Sequence, residues 1–182
     1  MAVSLSASSA SATETEGSPP SATAKPVTAC TDRRGDGIRR AGPQGDLVGI
    51  RIAVQGESLT ASWEVAGNVV PLFHGRLQYG LLISYMDTTV RELIHVGTTP
   101  TEYSVDVGDT TGRIVNLSKT VRPELAAHGI SITLPIDQVK PAGHSLTPFE
   151  WSGDLEQHHG RNYGDADACP DRDFVEFPDL GI

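Results

Sequence analysis

Aromatic residues are scarce in this chain: two Trp, four Tyr and four Phe account for 5% of it. So few rings cannot both fill a core and pave an exposed stacking platform, which argues against a ligand held by aromatic stacking alone. Cysteine is scarcer still, with two residues, Cys30 and Cys169. Two thiols exclude a metal site built from cysteines alone, and once bonded to each other they leave none for nucleophilic catalysis. Positive charge is also in deficit: 14 Lys and Arg stand against 23 Asp and Glu, a net charge of −9 with a pI near 5.0. Nucleic-acid binding needs a concentrated basic surface, and Arg33, Arg34, Arg39 and Arg40 form the only basic cluster. No apolar run approaches the ~18 residues of a membrane span. No nucleophile elbow, phosphate loop or zinc-protease helix occurs.

What is present is a chain of 182 residues, the length of one domain. Cys30 and Cys169 bracket nearly all of its patterned part, and each sits in a polar, turn-like setting. They are expected to form a disulfide, which places the chain in an oxidising, extracytoplasmic compartment. Val27-Thr28-Ala29-Cys30 matches a bacterial lipoprotein cleavage box, but Pro19, Pro20 and Pro26 stand where the apolar segment should be. Residues 1–12 lack the basic and apolar regions of an export leader. The expectation is a mature form whose leader is gone and to which Met1 was added. Residues 1–29 are rich in Ser, Ala, Thr and Pro, and are read as a disordered linker ahead of a domain at 30–182. Strong preference for Arg over Lys, with abundant Ala and Gly, suggests a GC-rich bacterial origin.

After the turn-rich segment 31–45, a period of two sets in, the mark of half-buried strands. Val48, Ile50, Ile52 and Val54 alternate, then Leu59, Ala61, Trp63 and Val65, with Gly56 turning the chain between them. Further strands are expected at Tyr79–Met86, Val90–Val96, Tyr103–Val107, Arg113–Leu117 and Ile130–Leu134, with a last main one around Phe149 and Trp151. Val121–Ala127 reads as a short helix or turn, and Pro135–Val139 as a single helical turn. Strands at such spacing without a long helical period predict an all-β, antiparallel two-sheet sandwich, jelly-roll or immunoglobulin-like, closed by one disulfide. Trp63, Trp151, Tyr79 and Tyr85 fall in register with apolar neighbours and are assigned to its core.

The candidate metal ligands are Asp32, Asp36 and Asp46, on a glycine-rich turn suited to calcium. A bond from Cys30 to Cys169 would bring Asp165, Asp167, Asp171 and Asp173 to the same end. Like charges so placed need cations, and the four Arg residues of that turn are preferred over calcium for the task. Among the histidines, His74, His95, His128 and His144 are scattered. His158 and His159 are adjacent, which suits chelation only in a loop, where Glu156, Asp165 and Asp167 could join them. Arg34-Gly35-Asp36 is an adhesion tripeptide and Asn116-Leu117-Ser118 a glycosylation sequon; both are read as chance matches.

The run Cys30-Thr31-Asp32, Gly35-Asp36-Gly37 and Gly45-Asp46-Leu47-Val48, with Leu59 to Val65 and the closing Asp167-Ala168-Cys169-Pro170-Asp171 and Phe177-Pro178, resembles exported β-sandwich domains of high-GC Gram-positive bacteria, of the DOMON and family-9 carbohydrate-binding-module type. The resemblance spans Cys30 to Pro178. It implies a sandwich fold, and calcium on the early acids Asp32, Asp36 and Asp46. The exposed aromatic clamp of sugar-binding members is not visible in this sequence. The functional expectation is a non-catalytic, secreted or cell-surface binding module, monomeric, contacting a carbohydrate or an envelope protein. The alternatives are a metal-dependent enzyme using a His158/His159 loop and a purely structural domain of a larger exported protein.

Overall fold

The computed structural model describes residues 27–39, 41–70, 75–85, 91–140, 148–159, 162–170 and 174–177. The strands in chain order are β1 (Val27–Thr31), β2 (Leu47–Gln55), β3 (Ser58–Val65), β4 (Arg76–Tyr85), β5 (Arg91–Thr98), β6 (Tyr103–Asp109), β7 (Ile114–Asn116), β8 (Glu124–Ala126), β9 (Gly129–Pro135), β10 (Pro148–His159), β11 (Asn162–Cys169) and β12 (Val175–Glu176). Among the described residues there is no α-helix; the helical turns are the 3-10 turns Gly42–Gly45 and Ile136–Gln138. The strands form two antiparallel sheets. The smaller runs β1-β2-β3-β9-β8, and the larger β11-β10-β4-β5-β6-β7, with β12 also on β10. Local meanders, β1-β2-β3 and β4 to β7, account for half of the strand pairings, and the chain crosses between sheets after β3, β7 and β9.

Alternation explains which face of each strand is inside. Ile50, Ile52 and Val54 of β2, Leu59, Ala61, Trp63 and Val65 of β3, and Ile130, Ile132 and Leu134 of β9 are all buried. They meet Leu77, Tyr79, Leu81 and Ile83 of β4, Ile94 and Val96 of β5, Val105 and Val107 of β6, and Trp151 and Leu155 of β10. The four aromatics assigned to the core are there. Both indoles also tie the sheets together. The Trp63 N–H donates to the Gly80 carbonyl at 3.0 Å, and the Trp151 N–H donates to the Thr28 hydroxyl at 3.2 Å. At Gly153 the sheets approach so closely that a methyl group would strike the Ile50 side chain and the Gly80 carbonyl.

The Cys30–Cys169 disulfide forms as expected, with a Cα–Cα distance of 6.0 Å across 139 residues of sequence. It joins β1 of the smaller sheet to β11 of the larger one, so it staples the sandwich through its core. Some boundaries differ from the sequence reading. Strand β1 takes in Val27, Thr28 and Ala29, which the reading placed in the linker. Glu124–Ala126 is an edge strand rather than a helix, held by pairing with β9 although all three side chains are exposed. Strand β10 runs far past Trp151 and pairs with a strand, β11, that the sequence reading did not contain. Residues 1–26, the turn Asp87–Thr89, and the ends at Met86, Val90 and Pro178 lie outside the described residues.

Candidate functional site

Two polar constellations stand out, one at the end of the sandwich beside the disulfide and one on the open face of the larger sheet.

At the disulfide end, Asp46 is buried and spends its carboxylate on the backbone: it accepts the Gly35 N–H at 2.9 and 3.0 Å and the Gly37 N–H at 3.3 Å. Gly35 adopts φ of 94°, a conformation that favours glycine, and this lets the turn present its N–H groups inward. Of the three expected metal ligands, Asp46 is therefore a turn-shaping residue. Asp32 and Asp36 are instead joined by Asp167 of β11, with carboxylate oxygens within 4.8 Å of one another. Asp167 accepts the Leu47 N–H at 2.7 Å. Burial, and then the charges of Asp32 and Asp36, push its carboxyl up to about 6, against the lowering effect of the Leu47 N–H. Of the four guanidinium groups expected to neutralise this end, three belong to described residues. Arg33, Arg34 and Arg39 are exposed and form no ion pair among the described residues; Arg40, Asp171, Asp173, Asp179 and the side chain of Asp165 lie outside them.

The second constellation is built by strand register. On the outer face of the larger sheet, Asp154 of β10 lies opposite Gly80 of β4, Gly80 opposite His95 of β5, His95 opposite Asp106 of β6, and Asp106 opposite Asn116 of β7. The Asn116 amide donates to Asp106 at 2.7 Å. One row along, Glu156 faces Gln78, and beyond it His158 faces Arg76. Because Gly80 has no side chain, the Asp154 carboxylate lies across it; a methyl group there would collide with the acid. Burial pushes the Asp154 carboxyl up to about 6, the neighbouring Glu156 adds to this, and the Gly80 N–H opposes it. Burial lowers the His95 imidazole below its usual range, outweighing the opposite pull of Glu156 and Asp106, so its ring is neutral near pH 7.

Asp154, His95 and Ser152 open into a pocket of about 310 Å³. Its floor carries Leu82 and Leu93, and its wall is Pro170 and Phe174. The Phe174 side chain is 39% exposed, and the Arg91 guanidinium lies 5.3 Å from its ring centre, a cation–π contact at the rim. A concave site lined about equally by polar and apolar surface, with convergent polar groups and perturbed carboxyl and imidazole groups, has features of a ligand pocket. A larger and shallower groove of about 580 Å³ lies on the smaller sheet, lined mostly by small residues and strand backbone, with Arg51, Glu64, Glu124 and His128 among its polar groups.

Compared with known protein families, curated proteins and solved structures, the chain matches none.

His158 and His159 do not occupy a loop: both belong to β10. His158 instead stands 3.5 Å from Glu156, two residues back on the same face. The side chain of His159, and all of His74 and His144, lie outside the described residues; the His128 ring meets the Gly67 carbonyl at 2.9 Å. The residues that sequence reasoning missed are Asp154, His95, Phe174 and Ser152. Alternation along β10 would have put Asp154 on an outer face, but nothing local in the sequence pairs it with His95.

Proposed function

We propose that the chain is a non-catalytic, extracytoplasmic binding module that engages an envelope component through the outer face of its larger sheet. The observation that carries this reading is the pocket where Asp154, His95 and Ser152 meet the apolar surface of Leu82, Leu93 and Phe174. It combines what a recognition site needs: area that gains by leaving water, and polar groups that fix orientation. The disulfide supports the compartment, since such bonds persist in oxidising surroundings. No helix among the described residues is long and apolar enough to cross a membrane. The resemblance to DOMON and family-9 carbohydrate-binding sandwiches supports a carbohydrate as ligand. Among the described residues Phe174 is the exposed aromatic carbocycle at the pocket, which supports a small ligand or a protein segment. A glycan array with calorimetry on cell-wall polysaccharide tests the first, and a pull-down from envelope extract tests the second. Absence of binding in both overturns the module reading.

A further inference from the structure

The Asp154 carboxylate is the feature of this pocket that its surroundings leave uncompensated. It lies across Gly80, half enclosed by the sheet, and opens into the pocket. Its protein donor is the Gly80 N–H, and the charged group nearest it in influence is another acid, Glu156. It forms no ion pair among the described residues. Arg91 does not meet this need: it sits over Phe174, and Arg91 comes four residues before His95 on β5, roughly 13 Å away at ~3.3 Å per residue. The other polar side chains of the lining, His95 and Ser152, are neutral, and the remaining lining residues are apolar side chains and glycine. A part-buried charge of this kind is satisfied by an opposite charge that also hydrogen-bonds.

We infer that this pocket takes a small ligand bearing a primary ammonium group on a ring-sized body, with the ammonium against Asp154 and the body on Leu82, Leu93 and Phe174. The assignment rests on the binding-module reading and adds the chemical class of the ligand. A neutral ligand would remove water from Asp154 without replacing it by a charge. An anionic one would face the Asp154 carboxylate, whose neighbour Glu156 is a second acid. An ammonium ion donates to the carboxylate, and neutral His95 and Ser152 offer it further acceptors. The carboxylate must be ionised for this, so binding weakens as the pH falls through about 6. The groups facing Asp154 are Glu156 on its own strand, with His158 beyond it; Gly80, Gln78 and Arg76 on β4; His95 on β5, with Asp106 beyond it; and Ala168 on β11.

The test is a two-dimensional NMR titration of the whole chain at pH 7.5 with two matched pairs of probes: glucosamine against glucose, and cyclohexylammonium against cyclohexanol. The expected result is saturable shifts of the Gly80, His95 and Ser152 amides with at least one ammonium probe and not with its neutral twin. Asp154→Asn weakens that binding at least about tenfold, as befits loss of a charge-assisted hydrogen bond. The better of the two ammonium probes tells whether the body is a sugar or a hydrocarbon ring. Phe174→Ala, at an exposed wall position that leaves the core intact, weakens both ammonium probes while keeping their preference over the neutral twins. Equal binding of a neutral twin, survival of ammonium binding in Asp154→Asn, or no shift at these amides with any probe overturns the assignment. If envelope binding persists in that event, the module reading stands without it; ammonium selectivity with no envelope binding removes the module reading alone.

Discussion

Asp167→Asn is expected to stabilise this protein above pH 6. Asp167 accepts the Leu47 N–H at 2.7 Å and shares its end of the sandwich with Asp32 and Asp36. Burial and those two charges raise its carboxyl from 3.8 to about 6. In the unfolded chain it titrates near its ordinary value, about 3.9. Between the two values the folded protein holds a proton that the unfolded chain has released. The stability from this group is therefore complete below pH ~4 and is lost as the pH rises through about 6. At about 1.4 kcal/mol per pH unit the loss is at most about 3 kcal/mol. Asp36 is exposed, so water reaches the cluster and screening reduces the loss to roughly 1–2 kcal/mol. Asn at 167 keeps an acceptor for Leu47, supplies a donor to the neighbouring acids and carries no charge. Urea denaturation followed by the fluorescence of buried Trp63 and Trp151, with chelator present, should show a gain of roughly 1–2 kcal/mol at pH 7.5 and none at pH 4. A loss of stability at pH 7.5 would refute the reasoning. So would wild-type protein that calcium stabilises by mass action and chelator destabilises, with the effect absent in Asp36→Ala, because a cation would then hold the cluster.

Replacing Cys30 and Cys169 together by Ala frees a loop of 139 residues and should cost about 2–5 kcal/mol, read as a lower urea midpoint that reductant no longer affects. Trp63→Phe leaves the buried Gly80 carbonyl without its indole donor and should cost about 1–3 kcal/mol in the same assay. Arg113→Ala removes the partner of buried Glu92, whose carboxyl burial already raises; the loss of stability should be larger at pH 8 than at pH 5, where Glu92 can take up a proton.

The sandwich was legible wherever one strand face is apolar and the other polar. Leu59 to Val65 and Ile130 to Leu134 alternate cleanly, and the faces they predict are the faces observed. The core places of Trp63, Trp151, Tyr79 and Tyr85 followed from the same pattern, and the disulfide from the presence of two cysteines bracketing the patterned part of the chain. Glu124–Ala126 carried no such signal, since all its side chains face water and only pairing with β9 makes it a strand. In β10 the inward positions include Gly153 and Gln157, which broke the apolar pattern and hid most of the strand. The acid cluster was half legible: the disulfide brings Asp167 to Asp32 and Asp36, but Asp46 looks like a ligand until its hydrogen bonds to Gly35 and Gly37 are seen. The pocket was not legible, because Asp154 and His95 come together only through the pairing of β10, β4 and β5.

The central claim is that the outer face of the larger sheet is the binding face. Two double variants test it by co-sedimentation with insoluble envelope material: Asp154→Asn with Phe174→Ala on that face, and Arg51→Ala with Glu124→Ala in the groove of the smaller sheet. Both should melt close to the wild type, since Phe174, Arg51 and Glu124 are exposed and Asn is isosteric with Asp154. The first pair should lose sedimentation and the second keep it. Retention by the first pair with loss by the second would contradict the account and move the binding face to the smaller sheet.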